Sequence, residues 1–438
     1  MKNRTMLLAA LVCGTACALR AQQLYFPPTI GGDWETVSPA SLGWCTDAIP
    51  DLLDFVDANN SKAFIVLKDG RIAIEHYTGA FTQDSVWYWA SAGKSLTAFL
   101  VGAAQADGLL DINDPSSDYL GEGWTSCTPE QELAITVRHQ LTMTTGLDDG
   151  VPNTDCTDPA CLQYLAAPGT RWSYHNAPYT RLDGVLASAT GQSLNAYVYS
   201  RLTTSTGLGG LYIQTGDNNV FFSKPRSMAR FGLLALNRGV WNGTDVLGDD
   251  NYFEAMTTPS QALNESYGYL WWLNGQATAM VPGLQFVFPG PLLPNQPNDA
   301  FNALGKNGQQ LNVVPSMGLV VMRMGNAPSG NGAAVAIQFS NELWGRLNDV
   351  LCTSTNVVAM NDDPELTIYP NPANDVFNIL LHGKAPARIR ILGHDGRELF
   401  SAQRDAQVKT DWLSPGNYLV EAMESDGSAV RRHLIIAR

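Results

Sequence analysis

Between residues 46 and 79 the spacing of apolar positions switches from helical to strand-like. "TDAIPDLLDFVDANN" repeats its apolar residues at helical spacing, whereas "KAFIVLKDGRIAIEHYTG" reads as two apolar strands joined at Asp69-Gly70, a strong hairpin signal. A helical run follows from Ser91 to about Ala106 and stops near Gly108. From there to about residue 240 the pattern is mostly helical, with loops such as "DDGVPNTDCTDPAC". Strand character returns in "YGYLWWLNG" and in the hairpin "QQLNVVPSMGLVVMRMG". "AAVAIQFSNELWGRLNDVLC" closes the pattern, strand-like at its start or helical throughout. Strands at both ends of a helical insert predict an α/β architecture: an antiparallel sheet covered by helices, with an all-helical subdomain beside it. This main domain is expected over 22–357, followed by a polar linker at 358–363. Residues 364–438 read as short strands separated by turns, a small all-β sandwich.

Composition narrows the functional classes. The 438-residue chain carries a formal net charge of −14, which argues against nucleic-acid binding. The tail is charge-balanced, so the acidic excess falls on the main domain. The start, "MKNRTMLLAALVCGTACALRAQQ", opens with the basic residues Lys2 and Arg4, followed by an apolar run and a small residue before a polar break. It reads as a secretory signal over 1–21, cut after Ala21 and too short to span a membrane. Lipidation at Cys13 or Cys17 ranks second. Export permits disulfides among Cys45, Cys127, Cys156, Cys161 and Cys352. Cys156 and Cys161 could close a small loop and Cys45 with Cys352 could tie the domain ends, although spacing alone does not fix the pairing. No Cys/His spacing suits a metal, so no zinc site is expected.

"YWASAGKSLTAFL" admits two chemistries. Its Gly-Lys-Ser resembles the end of a phosphate loop, but the glycine such a loop needs five residues earlier is Tyr88, within bulky "VWYW". The alternative is Ser91-x-x-Lys94 at a helix start, with both side chains on one face. A partly desolvated lysine could take the serine proton, and the backbone N–H groups of the helix start would favour negative charge nearby. Alone, this motif is better read as an amphipathic helix start with a surface lysine. Two further elements follow in order: Tyr174-His175-Asn176 in "PGTRWSYHNAPY" and Lys306-Asn307-Gly308 in "FNALGKNGQQLNVV".

Ser-x-x-Lys, Tyr-x-Asn and Lys-x-Gly in that order resemble the motifs of serine β-lactamases and penicillin-binding proteins. The tyrosine is similar to the class C branch, which includes esterases, D-amino-acid peptidases and hydrolases of short amide oligomers. The resemblance extends over about residues 45–352, through stretches such as "ITVRHQLTMTTGLDDG" and "SMARFGLLALNRGVWNG". It implies a serine hydrolase without a cofactor, in which Ser91 is the nucleophile and Lys94 helps to deprotonate it. Tyr174 is implied as general base and then acid, its pKa lowered by Lys94 and Lys306; which of Lys94 and Tyr174 takes the serine proton stays open. The resemblance assigns Asn176 to orient Lys94 or a substrate carbonyl, Lys306 to add charge, and the N–H groups of Ser91 and Gln309 to form an oxyanion hole. Asn307 stands where β-lactamases usually have threonine, and Gln309 follows Gly308. That form looks more like the family's ester and amide hydrolases. The expected activity is therefore cleavage of a small ester or amide through an acyl-serine. The alternatives are a D-stereospecific peptidase or β-lactamase acting on peptidoglycan-like substrates, or a sensor that acylates without turnover.

Other residues read as structural: His139 as a satisfied histidine, His175 as a loop side chain, and the "YGYLWW" aromatics as sheet core with one face available to the site. The Pro-rich "VPGLQFVFPGPLLPNQPND" is a long loop near the cleft, a gate or a plain surface loop. In the tail, "LTIYPNPANDVFNILL" and "LSPGNYLVEA" resemble the C-terminal sorting domain of the Bacteroidetes type IX secretion system. This implies the secretion machinery as partner and a secreted or outer-membrane-surface location.

Overall fold

The computed structural model describes residues 24–328, 335–352 and, with short gaps, 366–436. The expected signal segment (1–21) and linker (358–363) lie outside the described residues. The chain divides into two compact units, Met1–Thr353 and Ser354–Arg438.

In the first unit, helix α1 (Ile49–Ala58) leads into strands β1 (Ser61–Lys68) and β2 (Arg71–Tyr77). Their turn is the expected one: Asp69 and Gly70 both take positive φ, +50° and +84°, as a tight two-residue hairpin requires. Short strand β3 (Trp87–Tyr88) precedes the central helix α2 (Gly93–Ala106). Helix α2 is apolar on nearly every side and is buried from Gly93 to Ala104. Several short helices follow, then helix α3 (Leu182–Thr190), strands β4 (Gly210–Thr215) and β5 (Asn218–Ser223), and helix α4 (Pro225–Leu236). The unit closes with β6 (Trp272–Leu273), β7 (Phe301–Gly305), β8 (Gln309–Val314), β9 (Leu319–Gly325) and helix α5 (Ile337–Leu351).

The main sheet is antiparallel in the order β2-β1-β9-β8-β7-β6. Its strands alternate between two cores. Ala63, Ile65, Leu67, Leu311, Val313, Val320 and Met322 face the core that contains α2 and α4 residues such as Phe99 and Phe231. Phe64, Val66, Val314, Leu319 and Val321 face α1 and α5, through Leu52, Val56, Leu343 and Trp344. The antiparallel sheet covered by helices is thus as expected. Cys45 and Cys352 join the two ends of this unit, Cys156 and Cys161 close their short loop, and Cys127 is free and half-buried.

Two readings need correction. The insert is not wholly helical: β4 and β5 form a hairpin that pairs with β3 as a three-stranded sheet, order β3-β5-β4. In "YGYLWWLNG" the strand is confined to Trp272–Leu273. The preceding bend packs so closely that a side chain at Gly268 would meet the Met256 carbonyl oxygen at 2.1 Å.

The second unit holds strands β10 (Leu366–Tyr369), β11 (Val376–Leu381), β12 (Arg388–Leu392), β13 (Glu398–Gln403), β14 (Gln407–Lys409), β15 (Gly416–Met423) and β16 (Ala429–Ile436). They form sheets β10-β11-β14 and β13-β12-β15-β16, which share a core of Phe377, Ile379, Ile389, Ile391, Val420 and Leu434. The period-2 burial of β11 is the alternation a two-layer β fold needs.

Candidate active site

Ser91 stands where the chain turns from β3 into α2, half-buried within a short 3-10 turn, Ala90–Ala92. Ala90 has φ +48°, a left-handed conformation that costs an L residue about 1–2 kcal/mol. The fold holds this bend in place. Trp89 is fully buried and its indole N–H donates to Ser223 Oγ at 2.8 Å. The end of β7 presses from below: a Cβ on Gly305 would lie 2.6 Å from the Trp89 oxygen and 3.0 Å from the Ser91 nitrogen. Only glycine permits this approach, which puts the β7–β8 turn against the backbone N–H of Ser91.

Lys94 is one helical turn on and is 4 % exposed. Its Nζ lies 3.5 Å from the ring centroid of Tyr179 and 5.5 Å from that of Tyr174. Burial removes the water that would stabilise the ammonium and pulls its pKa down to about 7, against the raising influence of Asp155 and Asp183. Tyr174 packs its ring against Trp272, centroids 5.6 Å apart and planes 21° from parallel. Burial raises the Tyr174 pKa, and hydrogen bonding to Ser91 lowers it by less. The hydroxyl is buried, and the Ser91 contact falls short of good hydrogen-bond geometry. The expectation that Lys94 and Lys306 would lower the Tyr174 pKa is therefore reversed. Desolvation dominates, neither lysine offsets it, and Lys306 lies exposed in its turn.

Asn176 donates from Nδ2 to Asp155 Oδ1 at 2.7 Å, while its Oδ1 is buried without a partner. The third motif, Lys306–Gly308, forms the turn between β7 and β8. Asn307 takes φ +63° and donates from Nδ2 to the Tyr88 hydroxyl at 2.7 Å. Gly308 has φ +70° and packs beside Arg323 and Pro328. Gln309 stands opposite Gly305 in the strand register. Its side chain is fully buried and clamps the Gly325 backbone, N–H to Oε1 at 3.0 Å and Nε2 to O at 2.6 Å. That leaves the backbone of Gln309 as the part able to serve a substrate.

Four contributors carried no sequence signal of their own. Arg323, buried on β9, donates to the carbonyl oxygens of Asn307, Asn59 and Asn326, at 2.6, 2.7 and 2.9 Å, and so pins the third-motif turn. Tyr88, where a phosphate loop would need glycine, holds Asn307. Asp155 and Asp183 supply negative potential to Lys94 from a loop and from α3. Asp183 is itself pushed up to about 6 by burial, with Asn219 and Lys94 opposing.

His175 proves more deeply placed than a loop side chain: it is 2 % exposed, both ring nitrogens lack partners, and burial lowers its pKa to about 4. His139 is the expected satisfied histidine, its Nδ1 accepting from the Thr136 N–H in a helix cap. The Pro-rich loop reaches the site: Gln285 Nε2 donates to the Trp172 oxygen at 3.0 Å, with Leu284, Phe286, Val287 and Phe288 exposed at its tip.

Comparison with known proteins assigns a family to each of the two units. The beta-lactamase family model matches residues 57–339, and the secretion system C-terminal sorting domain matches residues 367–437. An uncharacterised protein of Alkalihalophilus pseudofirmus is 25% identical over 313 residues, covering 63% of this chain and 86% of its own length. The 6-aminohexanoate-dimer hydrolase of Paenarthrobacter ureafaciens is 24% identical over 274 residues, covering 54% and 70%. Among solved structures, a family VIII carboxylesterase superposes with TM-score 0.53 at 16% identity, over 72% of this chain and all of its own. The sorting domain marks the protein as secreted or held at the outer-membrane surface. The chain belongs to the beta-lactamase family, as a serine hydrolase that carries a type IX sorting domain at its C-terminal end.

Proposed function

We propose that the protein hydrolyses a small ester or amide through an acyl-enzyme on Ser91, with neutral Lys94 as the base. The observation that carries this reading is the burial of Lys94, which brings its pKa to about 7. A base poised near ambient pH is the most effective one, since it is both available and able to hold the proton. Tyr174, raised by burial, stays a phenol. It serves as a proton donor to the leaving group, not as the first base. The Ser91 and Gln309 backbone N–H groups form the oxyanion hole, supported by the pressure of Gly305 on Ser91 and its register with Gln309. Asn176 presents its free Oδ1 as an acceptor beside Lys94. Lys306 adds positive charge at the exposed rim.

The tie between Asn307 and Tyr88 favours esters and amides over β-lactams, because the residue in the usual threonine position is engaged inside the protein. The domain assignment proposed with this reading is a signal at 1–21, the hydrolase at 22–357, a linker at 358–363 and the sorting sandwich at 364–438. The test is turnover of p-nitrophenyl acetate, p-nitrophenyl butyrate and a chromogenic cephalosporin by the protein and by Ser91→Ala. Ester turnover that disappears in the variant, with the cephalosporin spared, is expected. Rapid cephalosporin hydrolysis would put the β-lactamase reading first, and ester turnover surviving in Ser91→Ala would remove Ser91 as nucleophile.

A further inference from the structure

The loop before the second motif is tied to the site at several points. Asn153 Nδ2 donates to Asp217 Oδ2 at 2.9 Å, and the Thr154 carbonyl accepts from the Ala177 N–H at 3.1 Å. Asp155 then accepts from Asn176 Nδ2 at 2.7 Å, and the very next residue, Cys156, is bonded to Cys161. A six-residue ring is thus closed immediately behind a carboxylate that faces the site. The other groups around Lys94 are Asp183 on α3, held at 2.9 Å by Asn219 of β5, and the rings of Tyr174 and Tyr179. Tyr212 of β4 closes the far side through Gly93 O and Thr97. His175 is within the electrostatic reach of Asp149, Asp148 and Asp155, and Asp149 forms an ion pair with Arg171 at 2.7 Å. Of the two carboxylates acting on Lys94, Asp183 sits in a helix and needs no further restraint. Asp155 sits in a loop, and a loop holds a charge still only if something limits its motion.

We propose that Asp155 is a positioning residue for the hydrolytic reaction, and that the Cys156–Cys161 disulfide acts in catalysis by closing the loop that holds Asp155 between Asn176 and Lys94. This rests on the reading of Lys94 as the base. Asp155 fixes the Asn176 amide so that its oxygen is the free end, and its charge opposes the loss of the Lys94 proton. Removing that charge makes Lys94 easier to deprotonate, so the acid limb of kcat/KM must move to lower pH. A residue that merely supported the fold would lower kcat/KM at every pH alike.

The experiment is the pH profile of kcat/KM for p-nitrophenyl butyrate, with each variant's fold checked by thermal melting. Asp155→Asn is expected to move the acid limb down by about half a pH unit or more, and Asp155→Glu to return most of it. Cys156→Ala/Cys161→Ala is expected to move the limb in the same direction by less. Cys45→Ala/Cys352→Ala, a control remote in the chain, leaves the limb in place. An unmoved limb in Asp155→Asn, with an even loss of rate, would reduce Asp155 to a structural role. A wild-type limb in the Cys156/Cys161 variant would overturn the part given to the disulfide, and that variant decides the matter should Asp155→Asn not fold. Ser91→Ala, run alongside, separates the two levels: retained turnover there overturns the acyl-serine reading itself.

Discussion

At the scale of single residues, the site is governed by desolvation. Lys94 and Tyr174 lie in the same aromatic enclosure, and burial moves each toward its neutral form: the amine down, the phenol up. The amine is therefore the group that can accept a proton near neutrality. Because it works as a base only when neutral, kcat/KM is expected to rise with pH through about 7 and level off above it. Lys94→Arg keeps the charge but cannot release its proton. It is expected to lose about 10²–10⁴-fold in kcat/KM, the usual contribution of a general base. A Lys94→Arg enzyme with near-normal turnover and an unchanged profile would exclude the lysine as base. Ser91 and Lys94 were legible in the sequence because one helical turn fixes their relation. The direction of the Tyr174 shift was not, because it depends on rings such as Trp272 that reach it from a distant segment.

At the scale of elements, Ser91, the proposed nucleophile, is placed by a collision avoided. The left-handed Ala90 bend, the start of α2 and the end of β7 meet where only glycine fits, at Gly305. Gly305→Ala is expected to lower kcat by about a hundredfold, since a 1 Å misplacement of reacting groups has that effect. The measurement is kcat beside a thermal melt: a folded variant with normal kcat would show that the contact is incidental. The strands of the main sheet were readable because β9 is apolar apart from Arg323 and β8 carries Leu311, Val313 and Val314, although its buried Gln309, Gln310 and Asn312 weaken the pattern. The β4–β5 hairpin escaped because β4 buries only Tyr212 and presents no clean alternation. "YGYLWWLNG" misled in the opposite way, its aromatics being gathered by a bend with Leu270 at φ +57° as much as by a strand.

At the scale of the whole molecule, the first unit is tied end to end by Cys45–Cys352, across 307 residues. Replacing both with alanine removes a restraint on the unfolded chain worth about 2–5 kcal/mol. This is expected to appear in calorimetry as a Tm lower by several degrees; an unchanged Tm would deny the bond a stabilising role. The tail was readable as a separate unit from its change of composition, and it has its own core of strand residues. It addresses the protein to the cell exterior, where the disulfides persist. The central claim is that chemistry passes through Ser91. The most direct measurement is the mass of the protein quenched during turnover of p-nitrophenyl butyrate, followed by peptide mapping. One butyryl group on the peptide that carries Ser91, absent in Ser91→Ala, is the predicted result. A label on another residue, or turnover with no covalent adduct under any quench, would contradict the account.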